Sequence, residues 1–385
     1  MDATKFTEMK TGRLIPITTP TGPDHAFVPD GVPPNWPLPP DLVPKLVEAR
    51  TALALLDGIG RTLPDPELLL VPLKKREAIT SSRIEGTYAT AQELMLFEMG
   101  SSDSKSKDDQ LNAWREVSNY SKALSQGVTL LEELPFCGRV MKELHNILMD
   151  GVRGQHSVPG RWRDYQVAIG SDRRYVPPPA NEMIECINTL EKYINEESSY
   201  DPLVRAYLVH YQFEAIHPFS DGNGRIGRVL LSLMIAKWCN LSRPWLYMSS
   251  FFERYKDEYV ENLFKISTEG AWEKWIRFCL NGTIHQANDA IIRCEKLRAL
   301  KHDMLKRARP GSPRTEQIID GLFSSPVVRV SHLRRTLKVT YPTAQSDVDR
   351  LVNAQILKPV PEMHPKCYYS PEIFDIAYAE QTKEV

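Results

Sequence analysis

Several familiar features are missing from this 385-residue chain. No run of 18 apolar residues occurs, which excludes an ordinary membrane-spanning helix. The opening Met1–Lys10 has no apolar core of the kind a secretion signal needs, so a cytoplasmic protein with no membrane partner is expected. The six cysteines (Cys137, Cys186, Cys239, Cys279, Cys294, Cys367) form no C-x-x-C pair and have no histidine at metal spacing. That pattern argues against a disulfide framework or a structural zinc and fits reduced core thiols. Charge of one sign is missing too. The 48 Lys and Arg against 49 Asp and Glu leave a net charge of -1, so any contact with nucleic acid or a membrane must come from a local patch.

What is present is mostly helical periodicity in a chain long enough for two or three domains. Residues 16–44 carry ten prolines and read as irregular: an extended arm laid over a domain, or a disordered lead-in. From Asp41 apolar residues recur at helical spacing. PELLLVPLKKREAITSSRIEG reads as a second helix ending at Gly86, AQELMLFEM as a third, and SSDSKSKDD as a polar loop. Helices then dominate from Gln110 to about Leu300. The main break is RDYQVAIGSDRRYVPPP, whose alternation around Gly-Ser-Asp suggests a short hairpin closed by prolines. ARPGSPR, Ala308 to Arg314, is a linker signal.

The densest chemistry lies in HPFSDGNGRIGR, His217 to Arg228, which runs directly into the apolar VLLSLMIAKW. Gly222, Gly224 and Gly227 remove side chains where a backbone must curl closely around something. A helix starting near Gly224–Arg225 directs free N–H groups and the positive end of its dipole into that curl. Arg225 and Arg228 reach over the same first turn, and a pair of arginines there suits a polyphosphate. Asp221 would be repelled by the same anion unless a cation lay between, and Mg²⁺ is commonly held by one carboxylate plus phosphate oxygens. His217, four residues before Asp221, is placed to take a proton from an attacking hydroxyl.

This stretch resembles, without departure, the Fic family motif HPFx[DE]GNGRxxR. The resemblance implies a nucleotidyltransferase that moves AMP from ATP onto a Tyr, Ser or Thr hydroxyl of a target protein, itself included, and releases pyrophosphate. It makes His217 the general base and Asp221 the magnesium ligand. Gly222, Asn223, Gly224 and Arg225 become the phosphate cradle, and Arg228 the holder of the γ-phosphate. Kinase-like relatives carry a bulkier residue in place of Gly224. The hairpin around Ile169, Gly170 and Ser171 resembles the family's flap, whose edge can hold an extended target segment as an added strand. PGRWRDYQ, just upstream, resembles the pattern that positions the flap. Gln212 and Tyr255 are candidates for the nucleoside pocket, with Tyr259 and Asn262 behind them. His145, His210 and His285 read as core or surface histidines.

SSRIEG, Ser81 to Gly86, raises a different question. Glu85 puts a carboxylate at a helix C-terminus, where the dipole disfavours it by ~0.3–1 kcal/mol, so it invites a partner. Ser81, Glu85 and Gly86 satisfy [ST]-x-x-x-E-[GN], the inhibitory motif of Fic proteins whose blocking helix precedes the core. The resemblance implies that Glu85 pairs with Arg228 and excludes a productive γ-phosphate. A second implied role is orienting water to remove AMP, and inhibition and reversal both stay open here.

Residues 314–360 resemble a winged helix: a first helix at Glu316–Phe323, then VSHLRRTL, a recognition helix within TAQSDVDRLVNAQIL, and a wing through Cys367–Tyr369. Arg329, His332, Arg334, Arg335 and Lys338 make a basic patch consistent with DNA, whereas Asp347 and Asp349 on the recognition helix oppose it. The expected fold is therefore mostly α: a Fic-type helical core with a short β-hairpin flap, plus a C-terminal winged helix. The expected domains are an N-terminal arm with the inhibitory motif (1–95), a catalytic core (96–307) and a winged-helix-like domain (308–385). ATP and Mg²⁺ are the expected cofactors. A hydroxyl-bearing protein is the expected partner, with DNA and a homodimer left open. The alternatives are a DNA-binding regulator that senses nucleotide, or removal of AMP or transfer of another nucleotide by the same site.

Overall fold

The structure, a computed structural model, describes residues 1–6, 11–20, 22–32, 34, 36–63, 65–98, 108–152, 158–170, 172–308, 312–361 and 366–379. Residues 101–107 of the polar loop expected at 101–109, Ser171 of the expected flap, and residues 309–311 of the expected linker lie outside them, and residues 108–109 of that loop already belong to a helix.

The chain opens with an antiparallel hairpin, β1 (Gly12–Thr19) and β2 (Gly22–Pro29). This corrects the reading of the proline-rich segment as irregular. Pro16 pairs with His25 and Pro23 with Thr18 in a sheet of only two strands. Every strand there is an edge, so a missing N–H can face away from the ladder. Buried Ala26, Phe27 and Val28 turn this hairpin onto the helices.

Helices α1 (Val43–Arg61), α2 (Glu67–Ile84), α3 (Ala91–Glu98), α4 (Asp108–Glu133) and α5 (Gly138–Leu148) follow. After the flap region come α6 (Ala180–Asn195), α7 (Pro202–Ile216), α8 (Asn223–Trp238), α9 (Ser249–Arg254), α10 (Lys256–Glu269) and the long α11 (Trp272–Arg307). The centre is α7 packed on α8. Pro202 opens α7 at a position that needs no N–H, and the Asp201 carboxylate caps it by accepting from Leu203 N–H. Both helices are apolar on nearly every face and lie buried on nearly every face. That rigidity matters, because the loop joining them carries His217 to Gly222.

Helix α2 packs against α4, α9 and α12 (Pro313–Ser324). Beyond α12 run β3 (Val327–Arg329), α13 (Val330–Thr336), α14 (Tyr341–Asn353), β4 (Lys358–Pro359), β5 (Cys367–Tyr369) and α15 (Pro371–Ala377). β5 is the central strand of a three-stranded antiparallel sheet. The hairpin expected within 163–179 shrinks to one antiparallel bridge, Ile169 with Tyr175. Left-handed Gly170 and Arg173 turn the chain there, and Pro177 to Pro179 have no N–H with which to extend a ladder.

Candidate active site

His217 ends α7 in the left-handed region at φ 49°, and Gly222 enters α8 at φ 76°. For a histidine that backbone is a strained choice that its surroundings must enforce. Buried Arg163 does so. Its Nε donates to the His217 carbonyl at 2.8 Å and its Nη2 to the Pro178 carbonyl, while its own N–H donates to the Pro218 carbonyl at 2.9 Å. One guanidinium thus ties the His217 turn to the base of the flap. Burial lowers its pKa to about 10.

The rest of the loop is braced from inside. The Asn223 side chain accepts from Phe219 N–H and donates to the Phe219 carbonyl, both at 2.8 Å. His145 Nδ1 accepts from Gly160 N–H at 2.9 Å, so its proton is on Nε2, which donates to the Asp221 carbonyl at 3.0 Å. The His145 ring stacks on Phe219 at 3.8 Å between centroids. The first α8 hydrogen bond runs from Ile226 N–H to the Gly222 carbonyl. The N–H groups of Asn223, Gly224 and Arg225 lie ahead of it at the positive end of the helix.

Both arginines of that first turn are already paired. Arg225 Nη1 donates to Glu116 Oε2 of α4 at 2.6 Å, and Arg225 Nη2 stands 3.4 Å from Asp221 Oδ1. Arg228, only 2% exposed, donates to Ser81 Oγ at 2.8 Å, to the Ser81 carbonyl at 3.0 Å and to Glu85 Oε1 at 2.6 Å. Burial raises the Glu85 pKa, but Arg228 outweighs burial and leaves the carboxyl below its ordinary value. Burial acts downward on Arg228, and Glu85 raises it well above the usual arginine range. The chain on either side of Glu85 is fastened as well. Thr87 Oγ1 donates to the same Glu116 oxygen at 2.8 Å, and Lys256 Nζ donates to the Ile84 carbonyl at 2.5 Å.

Burial, with Arg163 adding to it, lowers the His217 pKa to about 4, so the imidazole is neutral at pH 7. Its Nδ1 is enclosed without a protein partner. The Asp221 side chain is 58% exposed, with Oδ1 accepting from Gly222 N–H at 2.6 Å. Among the described residues no three His, Cys, Asp or Glu groups converge as metal ligands. A divalent cation therefore fits only if Asp221 shares it with oxygens from a phosphate and water.

The remaining expected site residues fall in different places. Gln212 is buried, and its amide donates to the Asp30 carbonyl at 2.8 Å, tying α7 to the residue that follows β2. Tyr255 stands at the α9–α10 junction beside the α2 terminus, 37% exposed, with its ring 4.8 Å from Phe251. Tyr259 is buried and bonds His210 Nε2 at 2.9 Å, and Asn262 is buried near it on α10. In the flap, Tyr175 hydroxyl donates to the Ala215 carbonyl and Phe27 N–H to the Val176 carbonyl, which fixes the inner side. On the outer side Val167 and Ala168 make no backbone–backbone bond among the described residues. Glu116, Thr87 and His145 were not singled out by sequence reasoning as parts of the site. Glu116 and Thr87 carry no motif signal, and His145 sits in an ordinary amphipathic helix.

Comparison with known proteins matches residues 43–129 to the Fic/DOC family N-terminal region and residues 135–235 to the Fic/DOC family. Residues 43–235 thus carry a Fic/DOC N-terminal region followed by a Fic/DOC domain. The N-terminal match spans the Ser81–Gly86 motif and α4, and the second spans the flap and HPFSDGNGRIGR. Among curated relatives, protein adenylyltransferase fic-1 of Caenorhabditis elegans is 32% identical over 112 residues, covering 26% of this chain and 22% of the relative. Protein adenylyltransferase Fic of Drosophila ananassae is 28% identical over 162 residues, covering 40% and 29%. The chain thus spans roughly a quarter of the length of the curated relatives it matches. Among solved structures, a Fic family protein from Desulfovibrio desulfuricans superposes with a TM-score of 0.57 at 19% identity, over 88% of this chain and 98% of that one. A Fic-1 fragment from C. elegans superposes at 0.54, also at 19% identity, over 66% of this chain and 73% of that one. At that identity these two show the Fic fold. No described helix is long and apolar enough to cross a membrane.

Proposed function

We propose that this Fic/DOC protein is a protein adenylyltransferase, held in a restrained state by its own α2. The observation that carries the reading is the Arg228 guanidinium gripped by Ser81 and Glu85 at the start of α8, next to a neutral His217. In this reading the N–H groups of Gly222, Asn223, Gly224 and Arg225 and the two arginines receive the triphosphate of ATP. Asp221 would hold Mg²⁺, which, when bound, offsets charge on the phosphate oxygens. A target Tyr, Ser or Thr hydroxyl attacks the α-phosphorus, its proton passes to His217, and the bond to the β-phosphate oxygen breaks to release pyrophosphate. The Val167–Ala168 edge receives the target backbone as an added strand and so brings the hydroxyl to His217.

With Glu85 on Arg228, that arginine is not free for the γ-phosphate, and in this reading the α-phosphorus does not settle in line with the hydroxyl. Labelled-ATP incubation of Glu85→Gly protein, followed by mass spectrometry of its own chain, tests the reading. One adenylyl group per modified residue, lost again in His217→Ala, is the supporting outcome. No transfer to itself or to any lysate protein overturns it.

For the C-terminal module we infer a winged helix that touches nucleic-acid phosphates. The order α12, β3, α13, α14, β4, β5 supports it, and one objection weakens. Asp347 is buried and pairs with Arg314 at 3.0 Å, so its charge points inward, while Arg334, Arg335 and Lys338 are exposed. A gel shift with nonspecific duplex at low salt tests it, and no shift refutes it.

A further inference from the structure

The flap that receives the target in the reading above has little of its own to hold its shape. One antiparallel bridge closes it, Ile169 with Tyr175, and so short a hairpin is marginal in water. Support comes from the first strands of the chain. Asp24 and Phe27, three residues apart on β2, meet Arg173 and Val176, three residues apart on the flap. Phe27 N–H donates to the Val176 carbonyl at 2.8 Å, and its ring lies 6.0 Å from that of Tyr175. Arg173, in the left-handed region at φ 51°, donates through Nε and Nη2 to Asp24 Oδ2 at 3.2 and 2.9 Å. The Asp24 side chain is 11% exposed, and its Oδ1 accepts from His25 N–H at 2.7 Å and from the Met1 amino group at 2.5 Å. Tyr175 spends its N–H and carbonyl on Ile169, while Val176 turns its carbonyl the other way, to β2. The outgoing limb of the flap is thus bonded on both sides.

We propose that β1–β2 is the fixed back of the target-docking surface, with the Asp24–Arg173 pair as its clamp on the flap turn. This rests on the adenylyltransferase reading, in which the flap edge receives the target. From β1 the backbone bonding passes through β2 and the outgoing limb to the incoming limb, whose Val167–Ala168 edge is left for an added strand. An extended segment that docks on a loose edge must order the edge as well as itself, and an edge already fastened spares that cost. The hairpin precedes residue 43, so this support lies outside both matched Fic/DOC regions. None of the bonds of Asp24 and Arg173 given above reaches His217–Arg228. The pair therefore acts on the protein substrate and not on ATP, and Arg173 is a positioning residue whose charge is spent on Asp24.

The test uses full-length Glu85→Gly protein as parent and adds Asp24→Ala, Arg173→Ala or both. The acceptor is a tagged, inactive His217→Ala copy of the chain, titrated with labelled ATP and Mg²⁺. Each single variant should lower kcat/KM for the acceptor about fivefold through a higher KM, the scale of a charged hydrogen bond discounted for exposure, and the double should lose no more. Calorimetry should find ATP binding unchanged, which also certifies the fold. Hydrogen exchange at the Ile169 and Tyr175 amides should quicken in all three. The clamp is refuted if Asp24→Ala raises transfer, because Arg173 would then be a target-binding cation held back by Asp24. Additive losses in the double, ATP binding that falls in step with transfer, or unchanged exchange refute it too. The exchange measurement needs no acceptor, so it decides even where the parent labels nothing. A parent that transfers AMP neither to itself nor to the acceptor counts against the adenylyltransferase reading, separately from the clamp.

Discussion

The carboxylate of Glu85 fills the space that a side chain on Gly224 would need: a Cβ there would come within 2.3 Å of Glu85 Oε1 and 3.0 Å of Arg228 Nη1. Glycine at 224 is therefore what leaves room for the Glu85 carboxylate to sit on Arg228.

Removing Glu85 should release Arg228 for ligand. Glu85→Gly is expected to tighten ATP binding and raise AMP transfer by roughly ten- to a hundredfold, the range for a charge-assisted hydrogen bond. Glu85→Gly combined with Arg228→Ala should lose that gain. Calorimetry and labelled transfer check both, and a double variant as active as Glu85→Gly alone contradicts the ion-pair restraint.

Thr87 offers a milder version of the same experiment. Its hydroxyl donates to Glu116, and Glu116 holds Arg225, so the segment behind Glu85 is fastened at a second point. Thr87→Val keeps the shape and removes the donor. With Glu85 intact it should raise transfer about tenfold, the lower end of the range for one hydrogen bond to a charged group. Transfer equal to that of the unaltered protein would show that the second fastening does not restrain.

The acid limb of the rate profile should be displaced. An ordinary histidine base loses activity as pH falls through about 6.5. His217 is lowered to about 4, first by burial and then by Arg163, so its proton-accepting form persists to much lower pH. In Glu85→Gly protein, kcat/KM should stay flat from pH 7.5 down to about 5.5. A half-maximal rate near 6.5 would contradict a buried neutral imidazole.

Stability should move with pH for a related reason. His145 and His217 are lowered to about 4 and His210 to about 3, each chiefly by burial. Between about pH 6.5 and 4 the unfolded chain binds protons that the folded one refuses, so stability falls as pH falls. Three such sites give a limiting slope of about 4 kcal/mol per pH unit, and Glu214, pushed up to about 8 by burial so that the folded chain takes its proton first, opposes it by about 1.4. Urea midpoints at pH 7, 6 and 5 should decline, and His210→Gln should make the decline shallower if it folds. A midpoint independent of pH in that window would contradict the neutral buried state.

Arg163→Lys separates positioning from binding. A lysine keeps the charge but cannot reach His217, Tyr165 and Pro178 carbonyls together. The expected result is a fall in kcat of about tenfold or more with KM for ATP little changed. Equal changes in both would mean that Arg163 acts on the nucleotide.

Much of this architecture was legible because its signals are local. The helical spacing around α1 and α2, the glycine and arginine spacing of His217–Arg228, and the misplaced acid at Glu85 all reside in short windows of sequence. What escaped depends on partners far apart in the chain. The β1–β2 hairpin looked irregular because its prolines weigh against strand, and only a two-stranded sheet with free edges tolerates Pro16 and Pro23. Gln212 looked like a ligand by its place before His217, yet Asp30, 182 residues away, takes its amide. Glu116 is one acid among many on α4 until the fold brings Arg225 and Thr87 to it. The flap read as a hairpin by alternation, but three successive prolines limit it to one bridge.

The contacts of α2 have a mechanical consequence. This helix, whose C-cap is Glu85, touches α4 and α9 of the helical core and also α12 near the far end of the chain. Whatever displaces α12 therefore uncovers the helix that carries the acid.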